Sequence, residues 1–189
     1  GFQRDTCTNP LIRSVFPEFF MSLTMYQASV PVFSRALGNL AHVIGKAQAH
    51  AEAKSIDPTA LIQFRLYPDM LPLVSQVRIA CDMVSRGAAR LAGVDLPSFE
   101  DKETTFAELL ERIEKAQAFL KTLKPEQFEG SDVRELSLPM RGTTMVFKGL
   151  DYLNYFVLPN LYFHCTTTYN IFRHNGVELG KMDFVGKPN

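Results

Sequence analysis

Apolar residues recur at three-and-four spacing in four stretches of the chain, and that spacing predicts four long helices, each burying one stripe. The first stretch opens at Thr24-Met25-Tyr26-Gln27, which has the form of a capping box. Leu37, Leu40, Val43 and Ile44 supply its buried stripe, and the Ala-, Glu- and Gln-rich tail from Lys46 to Lys54 is expected to project toward solvent. Pro31 sits inside this pattern. Either it removes one i to i−4 bond and kinks the helix, or Ser29 is the cap and Pro31 lies in the first turn.

Asp57-Pro58 predicts a short helix to about Arg65, because Asp caps and Pro is pre-organised for the first helical position. Pro68-Asp69 restarts the chain into a second long helix from Asp69 to Leu91, with Leu73, Val77, Ala80, Val84 and Leu91 inward and Gly93 as the stop. Thr105-Phe106-Ala107-Glu108 is a second capping box. It opens a third helix whose apolar face, Phe106, Leu109, Ile113, Ala116 and Leu120, runs until Pro125. Glu108 with Arg112 and Glu111 with Lys115 read as i, i+4 pairs on its solvated face, worth about 0.2–0.5 kcal/mol each.

From Val133 to Phe147 the period changes to two, with Leu136, Leu138 and Met140 on one side of Arg141-Gly142 and Met145 and Phe147 on the other. This predicts a β-hairpin whose first strand is an edge, since Pro139 cannot donate to a ladder. Asp151 is the expected cap of the last helix, which runs to about Asn175 and is apolar nearly all round. Such a helix is buried on more than one side, either within the bundle or against a second copy of the chain, and Pro159 should bend it. Arg173-His174-Asn175-Gly176 reads as its end, basic residues meeting the negative pole and Gly taking the left-handed position.

Residues 1–20 break this periodicity at Thr8-Asn9-Pro10 and Phe16-Pro17, and are expected to be an extension to one helical domain over 21–189. The fold class is therefore all-α: a four-helix bundle with a small hairpin inserted before the last helix. Composition narrows the functional classes. Lys plus Arg (20) equal Asp plus Glu (20), and the basic residues form no stripe, so neither nucleic acid nor an anionic membrane is an expected partner. Cys7, Cys81 and Cys165 form no CxxC pair, and no run of about 18 apolar residues could span a bilayer, so a reducing, cytoplasmic setting is expected. No nucleophile elbow, P-loop or dinucleotide fingerprint is present.

The candidate chemistry lies on the last helix. Asn160 and His164 are four apart and share a face bordered by Thr168, so a polar pair points at the core and needs partners. Gln76, on the inward side of the second long helix, is placed to meet His164 across the bundle. Cys165 follows His164 but diverges from it by about 100° around the helix, so a Cys-His catalytic pair is not expected. His42 and His50 have no carboxylate at coordinating spacing and are expected at solvated or interfacial positions.

The run Phe163-His164-Cys165-Thr166-Thr167-Thr168-Tyr169-Asn170-Ile171-Phe172-Arg173-His174-Asn175-Gly176 resembles an uncharacterised domain-of-unknown-function family. So do Arg65-Leu66-Tyr67-Pro68-Asp69-Met70 and Ala49-His50-Ala51-Glu52-Ala53-Lys54, and the likeness extends over about Met21 to Gly186. That family is grouped with the DinB-like (YfiT-like) four-helix bundles, many of which are taken to be metalloenzymes. The resemblance implies a divalent metal held by one His of the second helix and a His-x-x-x-His pair on the last. Anchored on Arg173 and Gly176, the pair falls on Asn160 and His164, and the helix-two ligand falls near Gln76. One of three imidazoles is kept. Amides are poor ligands for zinc or nickel, so no cofactor is expected; a metal, if bound, would sit at His164 with Gln76 and Asn160.

Two readings follow. In one, a degenerate metal site has become a small-molecule pocket lined by Gln76, Asn160, His164 and Thr168, with His164 as general acid-base and the transferase or hydrolase chemistry that the resemblance implies. In the other, the protein is a non-catalytic oligomer, a homodimer by default, whose inward polar residues only fix helix register.

Overall fold

The computed structural model describes residues 23–140 and 142–187. The expected extension over 1–20, and Arg141 of the hairpin turn, lie outside the described residues. The elements are α1 (Met25–Ala53), α2 (Pro58–Ile62), α3 (Leu73–Ala92), α4 (Phe106–Thr122), a 3-10 turn (Pro125–Phe128), β1 (Glu135–Met140) and β2 (Thr143–Lys148). The last long helix then runs unbroken as α5 (Gly149–Tyr152), a π turn (Leu153–Val157) and α6 (Leu158–His174), before the short α7 (Lys181–Val185). The protein is thus mostly helical, with the hairpin before the last long helix. In the bundle, α3 lies between α4 and α6, and α1 packs on α4, α6 and α7.

Both capping boxes form. Thr24 accepts from the Gln27 backbone N–H while Gln27 Oε1 accepts in return, so α1 starts at Met25 and not at Ser29, with Pro31 inside it. The tail of α1 is only half solvated, since Ala47 and Ala51 are buried. Asp57 caps α2, which ends at Ile62 rather than Arg65. The second long helix begins at Leu73 rather than Asp69, because Pro72 clashes with an α conformation at Leu71 and caps the helix itself. Gly93 ends it at φ +70°.

In the hairpin Leu136 pairs with Phe147, Leu138 with Met145 and Pro139 with Thr144. With two strands both edges are free, and Pro139 is tolerated. Asp151 is not the cap of the last helix: Lys148 occupies that position and Asp151 lies in the first turn. Pro159 perturbs the helix upstream of itself. It has no N–H to give Tyr155, and the turn before it is widened, Leu158 N–H bonding Leu153. That π turn presses Val157 onto Gly87 of α3, where a Cβ would come within 2.9 Å of Val157 Cγ1. The end of the helix is a Schellman motif: Val177 N–H bonds Phe172 C=O at 3.1 Å, Gly176 N–H bonds Arg173 C=O at 3.2 Å, and Gly176 has φ +84°.

One surface expectation is overturned. Arg112 is not part of a solvated pair with Glu108, whose carboxylate instead serves the capping box at Thr105. The Arg112 side chain is 1% exposed and reaches Glu103 Oε1, Asp101 Oδ1 and Asp82 Oδ1, each at 2.8 Å, while Arg78 Nε bonds the other Glu103 oxygen at 2.6 Å. Through this one guanidinium α4 is joined to α3 and to the connection between them. Glu111 and Lys115 do form the expected exposed i, i+4 pair.

Candidate functional site

The site is built where α3 and α6 face each other. Gln76 stands one turn into α3, and His164 lies two turns into α6; both are buried although both are polar. They meet as the sequence placed them, His164 Nδ1 lying 2.7 Å from Gln76 Oε1. The amide cannot be turned round, because Gln76 Nε2 donates to the Leu71 carbonyl at 2.9 Å. That carbonyl is itself presented by the kink at Leu71-Pro72 which delays the helix. A Gln carbonyl oxygen only accepts, so Nδ1 is the protonated nitrogen of the ring, and in the neutral imidazole Nε2 carries the lone pair. Burial pushes the His164 pKa below its ordinary value, which favours that neutral form.

No described residue bonds Nε2. Among the described residues, the fully enclosed side-chain polar atoms without a partner are Ser85 Oγ and Arg112 Nε, so Nε2 keeps an opening to the surface. The remaining two expected residues turn to their own helix. Asn160 Nδ2 donates to the Phe156 carbonyl at 2.7 Å, inside the π turn, and Thr168 Oγ1 donates to the His164 carbonyl at 3.0 Å. Both are i to i−4 back-bonds within the last helix, one on each side of His164, so neither side chain bonds the imidazole.

The donor set does not fit the metal centre that the superfamily resemblance implies. Gln76 spends its oxygen on His164 and its nitrogen on Leu71, and one imidazole remains. Among the described residues, no three His, Cys, Asp or Glu side chains gather where they could hold a metal ion.

Two features escaped the sequence reading. A cavity of about 400 Å³ lies between α1, α6 and α7, walled by Leu40, Val43, Tyr162, Cys165 and Phe184. Its closing segment, α7, is pinned by Asp183, which accepts from His42 Nε2 at 2.8 Å and Lys46 Nζ at 3.1 Å. The Gly180 backbone N–H, with His42 and Lys46, holds the Asp183 carboxyl well below the usual range. The acidic residue three positions after Gly180 was the available signal. Cys165, in the wall, is no nucleophile: burial pushes its thiol up to about 12. The second feature is a smaller pocket of about 270 Å³ between α3, β1 and the π turn, where Arg86, Arg90 and Tyr152 stand against Met140 and Phe156.

Comparison with known proteins agrees with this architecture. Residues 25–185 match the family described as a domain of unknown function, DUF1993. The crystal structure of a DinB family member protein from Shewanella denitrificans is similar over 86% of this chain and 92% of that one, at 40% sequence identity and a TM-score of 0.80. No curated protein matches the chain. No helix among the described residues is long and apolar enough to cross a membrane.

Proposed function

The chain belongs to the DUF1993 family and is a DinB-family member of unknown function, and from that premise we propose that it binds a small organic molecule at His164 and uses the imidazole as a proton acceptor. The observation that carries this is the 2.7 Å bond from His164 Nδ1 to a Gln76 oxygen fixed by Leu71, which leaves Nε2 as a positioned lone pair with an opening to the surface. Among the described residues no group bonds Nε2, so its lone pair is open to water or to a ligand. Gln76 orients the ring. It also strengthens its bond when the ring becomes imidazolium, since the donor is then charged. A neutral amide does this less than a carboxylate would, so the base stays weak and suits a ligand proton that is already acidic. Asn160 and Thr168 border the site and hold its backbone. Transferase or hydrolase chemistry is compatible with one proton acceptor of this kind.

A thermal-shift screen of small metabolites tests the reading, because a ligand that binds only the native state raises the unfolding midpoint. Hits should be lost in His164→Gln, which keeps the fold and a hydrogen-bonding group but cannot take up a proton near neutral pH. Hits that raise the midpoint of His164→Gln as much as that of the unsubstituted chain would place the ligand elsewhere. Tyr155 (74% exposed) and Phe163 (56% exposed) leave one side of the last helix uncovered, which supports a homodimer through that side. Sedimentation should give about twice the 21.3 kDa chain mass; a monomer at micromolar concentration would remove that part.

A further inference from the structure

We propose that the pocket between α3, β1 and the π turn is an anion subsite that holds the carboxylate or phosphate of a small organic acid. Arg86 and Arg90 are one turn apart on α3 and both line it. Arg86 makes no hydrogen bond or ion pair among the described residues. Arg90 spends one nitrogen on the Tyr152 hydroxyl, at 3.3 Å. By accepting from Arg90, that hydroxyl has its own proton free to donate. Two guanidinium groups and a phenol therefore converge on one small space, which is the donor chemistry that recognises a planar or tetrahedral anion.

The one carboxylate in the wall, Asp82, acts on Arg86 and offsets part of this charge, and the two guanidinium groups leave the pocket net positive. Asp82 Oδ1 is already bonded to Arg112 Nη2 at 2.8 Å, and burial raises its pKa. The rest of the wall is apolar, with Met83 from α3, Met140 from the hairpin and Phe156 from the π turn. At about 270 Å³ it is below the roughly 300–1,000 Å³ of sites for drug-sized ligands, so it suits a small acid or the acidic end of a longer molecule. Its position suggests the longer arrangement. Gln76, Met83, Arg86 and Arg90 recur at helical spacing along α3, and Phe156 carries the carbonyl that Asn160 holds, one turn before His164 on α6. The inference rests on the reading above for the far end of the ligand. The anion subsite itself stands on Arg86, Arg90 and Tyr152.

The test is calorimetric titration of the full chain with phenylacetate, with its neutral counterpart phenylacetamide and with inorganic phosphate, repeated on Arg86→Gln and His164→Gln. At least one of the two anions should bind, and phenylacetamide should bind about tenfold more weakly than phenylacetate or not at all. Arg86 is exposed, so Arg86→Gln should keep its unfolding midpoint while anion affinity falls about tenfold or more. His164→Gln should leave anion affinity unchanged. No binding of either anion, equal binding of acid and amide, or undiminished binding in Arg86→Gln would overturn the inference. Anion binding that fails while His164-dependent metabolites still bind overturns this inference alone; Arg86-dependent anion binding without any His164-dependent ligand supports it and overturns the proton-acceptor reading.

Discussion

Replacing Arg112 with methionine is expected to cost the fold about 3–5 kcal/mol, a large part of the roughly 5–15 kcal/mol that holds an ordinary domain together. The reason is the set of charges left behind. Burial opposes ionisation of Glu103, and it is the hydrogen bonds from Arg112 and Arg78 that hold its carboxyl below the usual range. Burial likewise opposes the charge on Arg112, and Glu103 and Asp82 more than offset that, raising its pKa. Without the guanidinium, Glu103 keeps Arg78 but Asp82 loses the partner that opposes its desolvation. The Arg112 side chain is also a packing element, stacked at 5.4 Å over the Phe99 ring. Arg112→Lys should recover little, because one ammonium cannot span Asp82 and Glu103 through two separate nitrogens. Urea unfolding midpoints read the loss, and a change within about 0.5 kcal/mol would show the cluster to be a surface network in solution.

Gly149→Ala is expected to be the most damaging single methyl. A Cβ at that position would overlap the backbone carbonyl oxygen of Ser131 and come within 3.3 Å of Leu91 Cδ2. Neither neighbour can yield cheaply. The Phe128–Asp132 turn is tied to the start of the last helix by Leu150 N–H to Asp132 C=O at 2.9 Å and closed by Ser131 N–H to Phe128 C=O at 3.1 Å. The helix propensity gained, up to about 1 kcal/mol, is smaller than the overpacking cost of about 1–3 kcal/mol or more for a backbone that must move. Gly45→Ala is the control. Gly45 is exposed within α1 with nothing within 4 Å of its Cβ position, so the same methyl should stabilise by about 0.5–1 kcal/mol. Thermal unfolding of the two variants should therefore move in opposite directions; a neutral Gly149→Ala would mean that the turn is free to shift.

The contrast between what the chain made legible and what it hid follows from the range of each interaction. Thr24 with Gln27, Thr105 with Glu108, and Gly176 after Arg173 act within three residues, and all were readable as capping signals. The hairpin was readable from alternation, with Leu136 and Leu138 inward. The start of α3 is set by Pro72 and not by the apolar rhythm that begins at Met70, because a proline disfavours the α conformation at the residue before it. Arg112 was missed for a different reason. Glu108 offered a local partner, whereas Glu103 belongs to the preceding connection and Asp82 to another helix, 30 positions away. A hint existed, since Arg112 lies between Leu109 and Ile113 on the buried stripe of α4. The Gln76–His164 contact spans 88 positions and was readable only because helix faces and the resemblance named the same two residues. What the Gln76 nitrogen does, and hence which ring nitrogen of His164 is free, depends on the Leu71 carbonyl and was not readable.

Nitrogen-15 chemical shifts of the His164 ring, followed from pH 8 downward, measure directly which ring nitrogen is free. The ring should show a protonated Nδ1 and an unprotonated Nε2, and its imidazolium should form at a lower pH than that of an ordinary histidine, because burial disfavours the charge. Because the folded form then binds fewer protons than the unfolded chain, stability should fall as pH drops from 6.5 through the lowered pKa, and His164→Gln should remove that slope. A neutral ring protonated at Nε2, or a ring that becomes imidazolium at or above the pH of an ordinary histidine, would contradict this assignment.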